Sequence, residues 1–348
     1  MVLSFHSVSI SWSLNWVCFG SSSLESYSTS LHKNFLIKRK DKVYNEVVEG
    51  YFCMPRRTEG LEEAKSKIRS YTPGLWIEEV GGMKISDYEL PKTTTLLLVG
   101  PGGSGKSSLV NRISKVFEND KFAPLRAQIS YNSPVGEGTY FLQEYMIPRG
   151  STSFCLYDTR SLSENSSENF EMIKNLMTKG VRHGELVTRC FDDSSVRKSM
   201  MCKAQQIGCY SSVVRRVDFV IFVVNALSVL QSTGNDHDHK SYKDILANSF
   251  SCPYLSFKDD KPVVVVTHGD LLTIYQRALV RIKLGELLGI PPDKQIFDIP
   301  GNCDPATELA IVEMLRYSLE HADRNLPCKR WVVDKVRSFF LHPSLLPF

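Results

Sequence analysis

Apolar positions along the chain come in two textures. From Thr93 onward, short, strongly apolar runs recur at Thr94–Val99, Val217–Val224 and Pro262–Thr267. Runs of this length, rich in β-branched residues and bounded by turn formers, predict strands buried on both faces. Between them lie stretches with helical spacing: Lys106–Phe117, Asn169–Met177 and Leu271–Leu288, the last stopping at Gly289 and Pro291-Pro292. Gly138–Ile147 and Thr152–Tyr157 predict two more strands, and Gln295–Ile299 a short final one. Asp304-Pro305 supplies an N-cap and a first-turn proline. The helix that follows puts Leu309, Val312, Leu315 and Leu319 on one face. Strands alternating with helices predict an α/β fold, a mostly parallel sheet with helices on both sides. Ligands of such sheets bind at the carboxyl ends of the strands.

The regular pattern does not extend to the ends. Residues 1–34 are serine-rich with Glu25 as the one acid, a composition shared by poorly ordered leaders and organelle transit segments. Transit segments are richer in arginine, and none occurs before Arg39, so the leader reading is preferred. Residues 35–92 form an N-terminal extension with a short helix at Leu61–Arg69. A nucleotide-binding domain is expected over 93–324 and a helical tail over 325–348. Residues 181–216 are a less regular insertion with a helix around Val196–Ser211.

Composition narrows the class. Hydrophobic residues at 42% and charged residues at 23% suit a globule, and a net charge of +4 is too mild to imply a nucleic-acid partner. No apolar stretch approaches the ~20 residues of a membrane helix. The nine cysteines are odd in number, scattered and without C-x-x-C, which points to reduced thiols and a cytoplasmic setting.

The chemistry begins after the first strand. Gly100-Pro101-Gly102-Gly103-Ser104-Gly105-Lys106-Ser107 fits G-x-x-x-x-G-K-[ST], with an apolar strand before it and a helix after it. Glycines let main-chain N–H groups curl around phosphate oxygens, and the helix N-terminus adds its positive end. Lys106 is the candidate catalytic and phosphate-binding cation, Ser107 is a candidate Mg²⁺ ligand, and Ser108 completes the nucleotide-binding set. Asp158 ends the Thr152–Tyr157 strand, where a carboxylate can hold Mg²⁺ through water; the plainer reading is a turn cap. Val263–Val266 runs into Thr267-His268-Gly269-Asp270. An aspartate there can accept both the N1–H and the exocyclic amine of guanine, a donor pair adenine lacks. The competing reading makes Asp270 the N-cap of the next helix.

In this order the motifs resemble those of the Ras-like GTPase superfamily: G-x-x-x-x-G-K-S, then D-x-x-G at Asp158-Thr159-Arg160-Ser161, then [NT]-K-x-D at Thr267–Asp270. Within it, Leu96–Ile113, Phe154–Leu162, Phe219–Asn225 and Val264–Asp270 look similar to the interferon-induced protein forty-four family of GTP-binding-like proteins. The resemblance covers roughly 93–320. It implies a three-layer αβα P-loop NTPase with a six-stranded sheet, one strand antiparallel, Mg²⁺ with GTP or GDP in the site, and a protein effector. Three departures stand out. Ser161 replaces the superfamily glycine, Leu162 stands where many members carry a water-orienting glutamine, and Thr267 and His268 replace the commoner asparagine and lysine.

Thr139 is the candidate switch threonine for Mg²⁺ and γ-phosphate, although spacing alone leaves it equally a turn residue. The last base-binding loop is expected near Pro300-Gly301-Asn302. Asp236-His237-Asp238-His239 reads as a solvated helix cap rather than a zinc site. Arg160 reads as an exposed switch arginine, with a cis charge donor as the sharper alternative. Three functions compete: a slowly hydrolysing GTP switch, a nucleotide-held interaction module without useful catalysis, and an ATP-using enzyme. The last lacks the acid that ATPases often carry after the strand-end aspartate, since Thr159 stands there.

Overall fold

The computed structural model describes residues 41–53, 58–77, 83–118, 123–128, 139–190, 192, 194–207, 211–232, 237–257, 260–302 and 304–329. Residue contacts divide the chain into 1–45 and 46–348; in the first unit the described residues 41–45 are helical. The leader at 1–34, and the tail from 330 on, lie outside the described residues.

The second unit opens with helical residues 46–53, followed by α1 (Leu61–Arg69), β1 (Thr94–Val99), α2 (Lys106–Phe117), β2 (Gln143–Ile147), β3 (Phe154–Asp158), α3 (Ser166–Lys179), α4 (Ser194–Ile207), β4 (Phe219–Asn225), α5 (Ala226–Gln231), α6 (His237–Phe250), β5 (Val263–Thr267), α7 (Ile274–Leu288), β6 (Ile296–Asp298) and α8 (Pro305–Arg324). The six strands form one sheet in the order β2-β3-β1-β4-β5-β6. Every pairing is parallel except β2 with β3.

The strongly apolar runs are explained by the two covered faces. Successive strand residues point to opposite sides. Leu96, Leu98, Ile221, Val223, Val263 and Val265 pack against Leu109, Val110 and Ile113 of α2 and the Leu309–Leu319 stripe of α8. Leu97, Val99, Phe222, Val224, Val264 and Val266 pack against α3, α6 and α7. Helix stops follow the local chemistry. Gly289 takes the left-handed conformation at the end of α7, and Asp304 caps α8 by accepting from Thr307 N at 2.7 Å. Among the described residues no helix is long and apolar enough to cross a membrane.

Residues 61–76 are built into this core. Tyr71 is buried, with its hydroxyl 2.8 Å from Thr94 Oγ1 and donating to Asp323 Oδ1 at 2.7 Å. The same carboxylate accepts from Gly74 N and Trp76 N, which fastens the segment to the last turn of α8.

Several boundaries differ from the sequence reading. The strand expected from Gly138 begins at Gln143. Helix α3 begins at Ser166 because Asn165 caps it, accepting from Ser167 N and Glu168 N. Asn169, the expected first residue, is instead buried inside that helix. Its side chain grips Ser163, accepting from Ser163 N at 2.9 Å and donating to Ser163 O at 2.7 Å.

Candidate functional site

The turn after β1 lies at the carboxyl edge of the sheet, between β3 and β4. Its shape depends on two glycines. A Cβ on Gly100 would sit 2.2 Å from Val223 O, so only glycine lets β1 pass so close to β4. Gly105 has φ of 83° as it enters α2, a conformation L side chains rarely adopt. The first-turn N–H groups of α2 have no carbonyl partner within the helix and face this turn.

Lys106 is 5% exposed, and its ammonium donates to Gly100 O at 2.9 Å, Pro101 O at 3.2 Å and Ser161 Oγ at 3.0 Å. Burial pulls its pKa down to about 8, with Asp158 opposing and Arg189 adding to the fall. Asp158 is also buried, and desolvation raises its carboxyl above the usual range against the pull of Lys106 and two hydroxyls. The two charges attract, yet each is shifted toward its neutral form because burial outweighs that attraction.

Ser107, Thr139 and Asp158 meet at one point. Ser107 Oγ donates to Asp158 Oδ2 at 2.5 Å; Thr139 Oγ1 lies 3.5 Å from both. Asp158 Oδ1 is buried with no partner. An orphaned carboxylate oxygen beside two hydroxyls is a set of hard oxygen donors with one negative charge. That suits a Mg²⁺ whose remaining ligands are phosphate and water, and not a cage made by protein alone. Among the described residues no group of three His, Cys, Asp or Glu could hold a metal. Asp236 lies outside them, as do the side chains of His237, Asp238 and His239 in the first turn of α6.

The residues expected to meet a base lie across the turn. Thr267 Oγ1 is 2.8 Å from Ser104 O and 2.8 Å from His268 Nδ1, tying β5 to the phosphate loop. His268 has φ of 59°, and burial lowers its pKa, favouring the neutral ring. Asp270 is exposed and does not cap α7; Thr273 does, with Gln276 completing a capping box. Asp270 Oδ1 instead accepts from Gly301 N at 2.6 Å, so the loop after β6 and the Thr267–Asp270 turn meet. Arg112 of α2 reaches the same loop, donating to Ile299 O and Pro300 O.

At two of the positions singled out in the sequence the structure adds detail, and at a third it corrects the reading. Leu162 is 4% exposed and packs in the core with Leu97, Val99 and Tyr157. Its N–H donates to Gly100 O at 2.9 Å. Ser161 does more than replace a glycine, since its hydroxyl accepts from Lys106. Arg160 is not an exposed switch arginine. It is 9% exposed, forks onto Asp192 at 2.7 and 2.5 Å, and lies 4.9 Å above the Tyr140 ring.

Two site residues carried no signal in the sequence. Asn225 caps α5 with its carbonyl and donates to Gly103 O at 3.3 Å, bracing the turn from β4. Arg189, from the insertion, donates to Ser161 O. A strand-end asparagine before a short helix was the only available cue for the first, and nothing local marked the second.

No family profile and no curated protein matches the chain. Among solved structures it is similar to an Aquifex aeolicus Era variant bound to GDP·AlF4⁻, at 15% identity over 69% of this chain and 59% of that one, with a TM-score of 0.34. A second likeness is to a probable GTP-binding protein EngB, at 14% identity over 66% of this chain and 99% of that one, with a TM-score of 0.32. The chain thus spans 59% of the first of these. Likenesses this remote add nothing to what strand order and loop geometry establish. The six-stranded sheet with its one antiparallel strand, and the Gly100–Ser107 turn at the carboxyl edge of β1, make this a P-loop NTPase fold.

Proposed function

We propose that the chain is a Mg²⁺-dependent GTP-binding protein that hydrolyses GTP slowly and acts as a switch. The observation that carries this reading is the meeting of Ser107, Thr139 and Asp158 at one point, with the Lys106 ammonium held on the adjoining Gly100–Ser107 turn. Main-chain N–H groups of Gly100–Ser107, with Ser108 behind them, cradle the phosphates. The Lys106 ammonium exchanges its neutral carbonyl acceptors for anionic oxygens, which make stronger hydrogen bonds. Ser107 and Thr139 offer hydroxyls to the metal, and Asp158 holds it through water. When bound, Mg²⁺ would neutralise charge on the β- and γ-phosphates. Thr267 fixes the base loop, His268 lies against the purine, and the Asp270 carboxylate accepts the two guanine donors.

Thr139 and Ser161 each join a loop to this point, so gain or loss of the γ-phosphate would change what holds those loops. A protein effector reading them in the cytoplasm belongs to the same proposal. So does kinship with the interferon-induced protein forty-four family, which rests on the four stretches quoted above. One observation favours a second reading, a nucleotide-held interaction module: Leu162 is buried, and no side chain at that position can orient water.

The test is the nucleotide that copurifies with the protein, followed by single-turnover hydrolysis against Lys106→Ala. Guanine nucleotide with a rate above the variant's supports the switch. Guanine nucleotide with equal rates leaves the module. Adenine nucleotide, or none, overturns the proposal.

A further inference from the structure

The insertion between α3 and β4 brings one cation against Ser161, beside the Gly100–Ser107 turn. Arg189, Cys190 and Asp192 are clamped from several sides. The Asp192 carboxylate takes the Arg160 fork and also accepts from Arg189 N at 2.6 Å. Arg197 of α4 donates to Arg189 O at 2.7 Å and to Cys190 O at 2.5 Å. The clamp directs the Arg189 side chain at Ser161, whose carbonyl accepts from it. Ser161 Oγ in turn accepts from Lys106. One residue therefore bridges the phosphate-loop ammonium and a second, half-buried guanidinium. Asp192 gives its fork to Arg160, and Arg189 Nε is buried without any acceptor. Lys106 and Arg189 thus meet across Ser161, and Arg189 keeps a buried donor that an anion could take.

Resting on the nucleotide-binding reading above, we propose that Arg189 is a γ-phosphate ligand supplied in cis. Through it the insertion distinguishes triphosphate from diphosphate. A guanidinium fork matches two phosphate oxygens, which a point charge does not. Lys106 and the main-chain N–H groups serve both nucleotides; Arg189 serves the outermost phosphate alone. The clamp of Arg160, Asp192 and Arg197 positions it, and the 189–192 loop and α4 become the segment that reports which nucleotide is present.

The test uses the full chain with Mg²⁺ and two probes, GDP and the non-hydrolysable triphosphate GppNHp, titrated into wild type, Arg189→Ala and Arg189→Lys. The expected result is a roughly 10- to 100-fold loss of GppNHp affinity in Arg189→Ala, with GDP affinity within about twofold of wild type. Arg189→Lys should recover part of the loss, as a charge without the fork. The intact GDP affinity shows that the variant is folded. Equal losses for the two nucleotides would make Arg189 a structural residue and overturn the inference. So would unchanged GppNHp affinity, while the nucleotide-binding reading stands in both cases. Wild type that binds neither probe overturns that reading, and this inference falls with it.

Discussion

At the proposed phosphate end of the site Lys106 and Asp158 are buried, each within reach of several polar groups, and backed by the Leu162 core. At the base end Asp270 is exposed and held by a single bond to Gly301 N, while His268 is half-buried. The first is prepaid: its groups have lost their water during folding and wait against one another. The second still carries water that a ligand must displace. Charged contacts gain most where solvent has already been excluded. Affinity is therefore expected to reside in the phosphate end and the choice of base in the other.

The largest effect should come from Lys106→Ala. It removes a desolvated charge-assisted contact worth about 3 kcal/mol, so triphosphate affinity should fall at least about 100-fold by titration calorimetry. A loss smaller than that from Asp270→Ala would invert the comparison. Next is Leu162→Gln, which a sequence reading would offer as a way to restore a water-orienting group. The side chain sits in the core, so the amide would be buried without designed partners. Unfolding free energy should drop by about 1–3 kcal/mol, with no gain in hydrolysis. Faster single-turnover hydrolysis in that variant would mean the loop turns over when nucleotide binds. Third is Asp270→Ala, where GTP affinity should fall about 10-fold while ATP affinity holds, because the carboxylate is exposed and its two hydrogen bonds compete with water. Competition of GTP against ATP reads this directly. Unchanged preference would remove Asp270 from base recognition.

How much of this was legible follows the range of the contacts. β1, the glycine turn and α2 are contiguous, so each residue's place could be inferred from its neighbours. β3 with Asp158 and β5 with Thr267–Asp270 were readable as apolar strands ending in a carboxylate, since buried parallel strands have little else to be. Asp304 and Gly289 announced their helix ends. Thr139 was ambiguous because its place depends on how the chain before β2 returns to Ser107, which no spacing fixes. Leu162 misled because its orientation comes from a parallel bridge to Pro101, 61 residues away in chain terms, and not from its own segment. Arg189 and Asn225 were silent for the same reason. An arginine in an irregular insertion, or an asparagine that looks like a helix cap, acquires a partner at the site only once the sheet brings it there.

The smallest expected effect separates the two ends by pH. Lys106, ordinarily near 10.5, is brought to about 8 in the nucleotide-free protein by burial. Between those values the unfolded chain keeps a proton that the folded loop has released. Stability without nucleotide therefore rises with pH across that window, because the cost of a buried ammonium is present below about 8 and relieved above it. Nucleotide affinity moves the other way. A polyphosphate requires the ammonium, so binding above that pH must draw a proton from solvent. At about pH 8.5, roughly 0.7 proton should be taken up, with a loss of about fourfold in affinity relative to neutral pH. Calorimetry in two buffers of different ionisation enthalpy measures the uptake. Lys106→Ala should abolish the uptake, since the titrating ammonium is then gone. Uptake near zero in wild type would mean that Lys106 stays charged in the free loop, and the contrast between a desolvated phosphate end and a hydrated base end would lose its electrostatic basis.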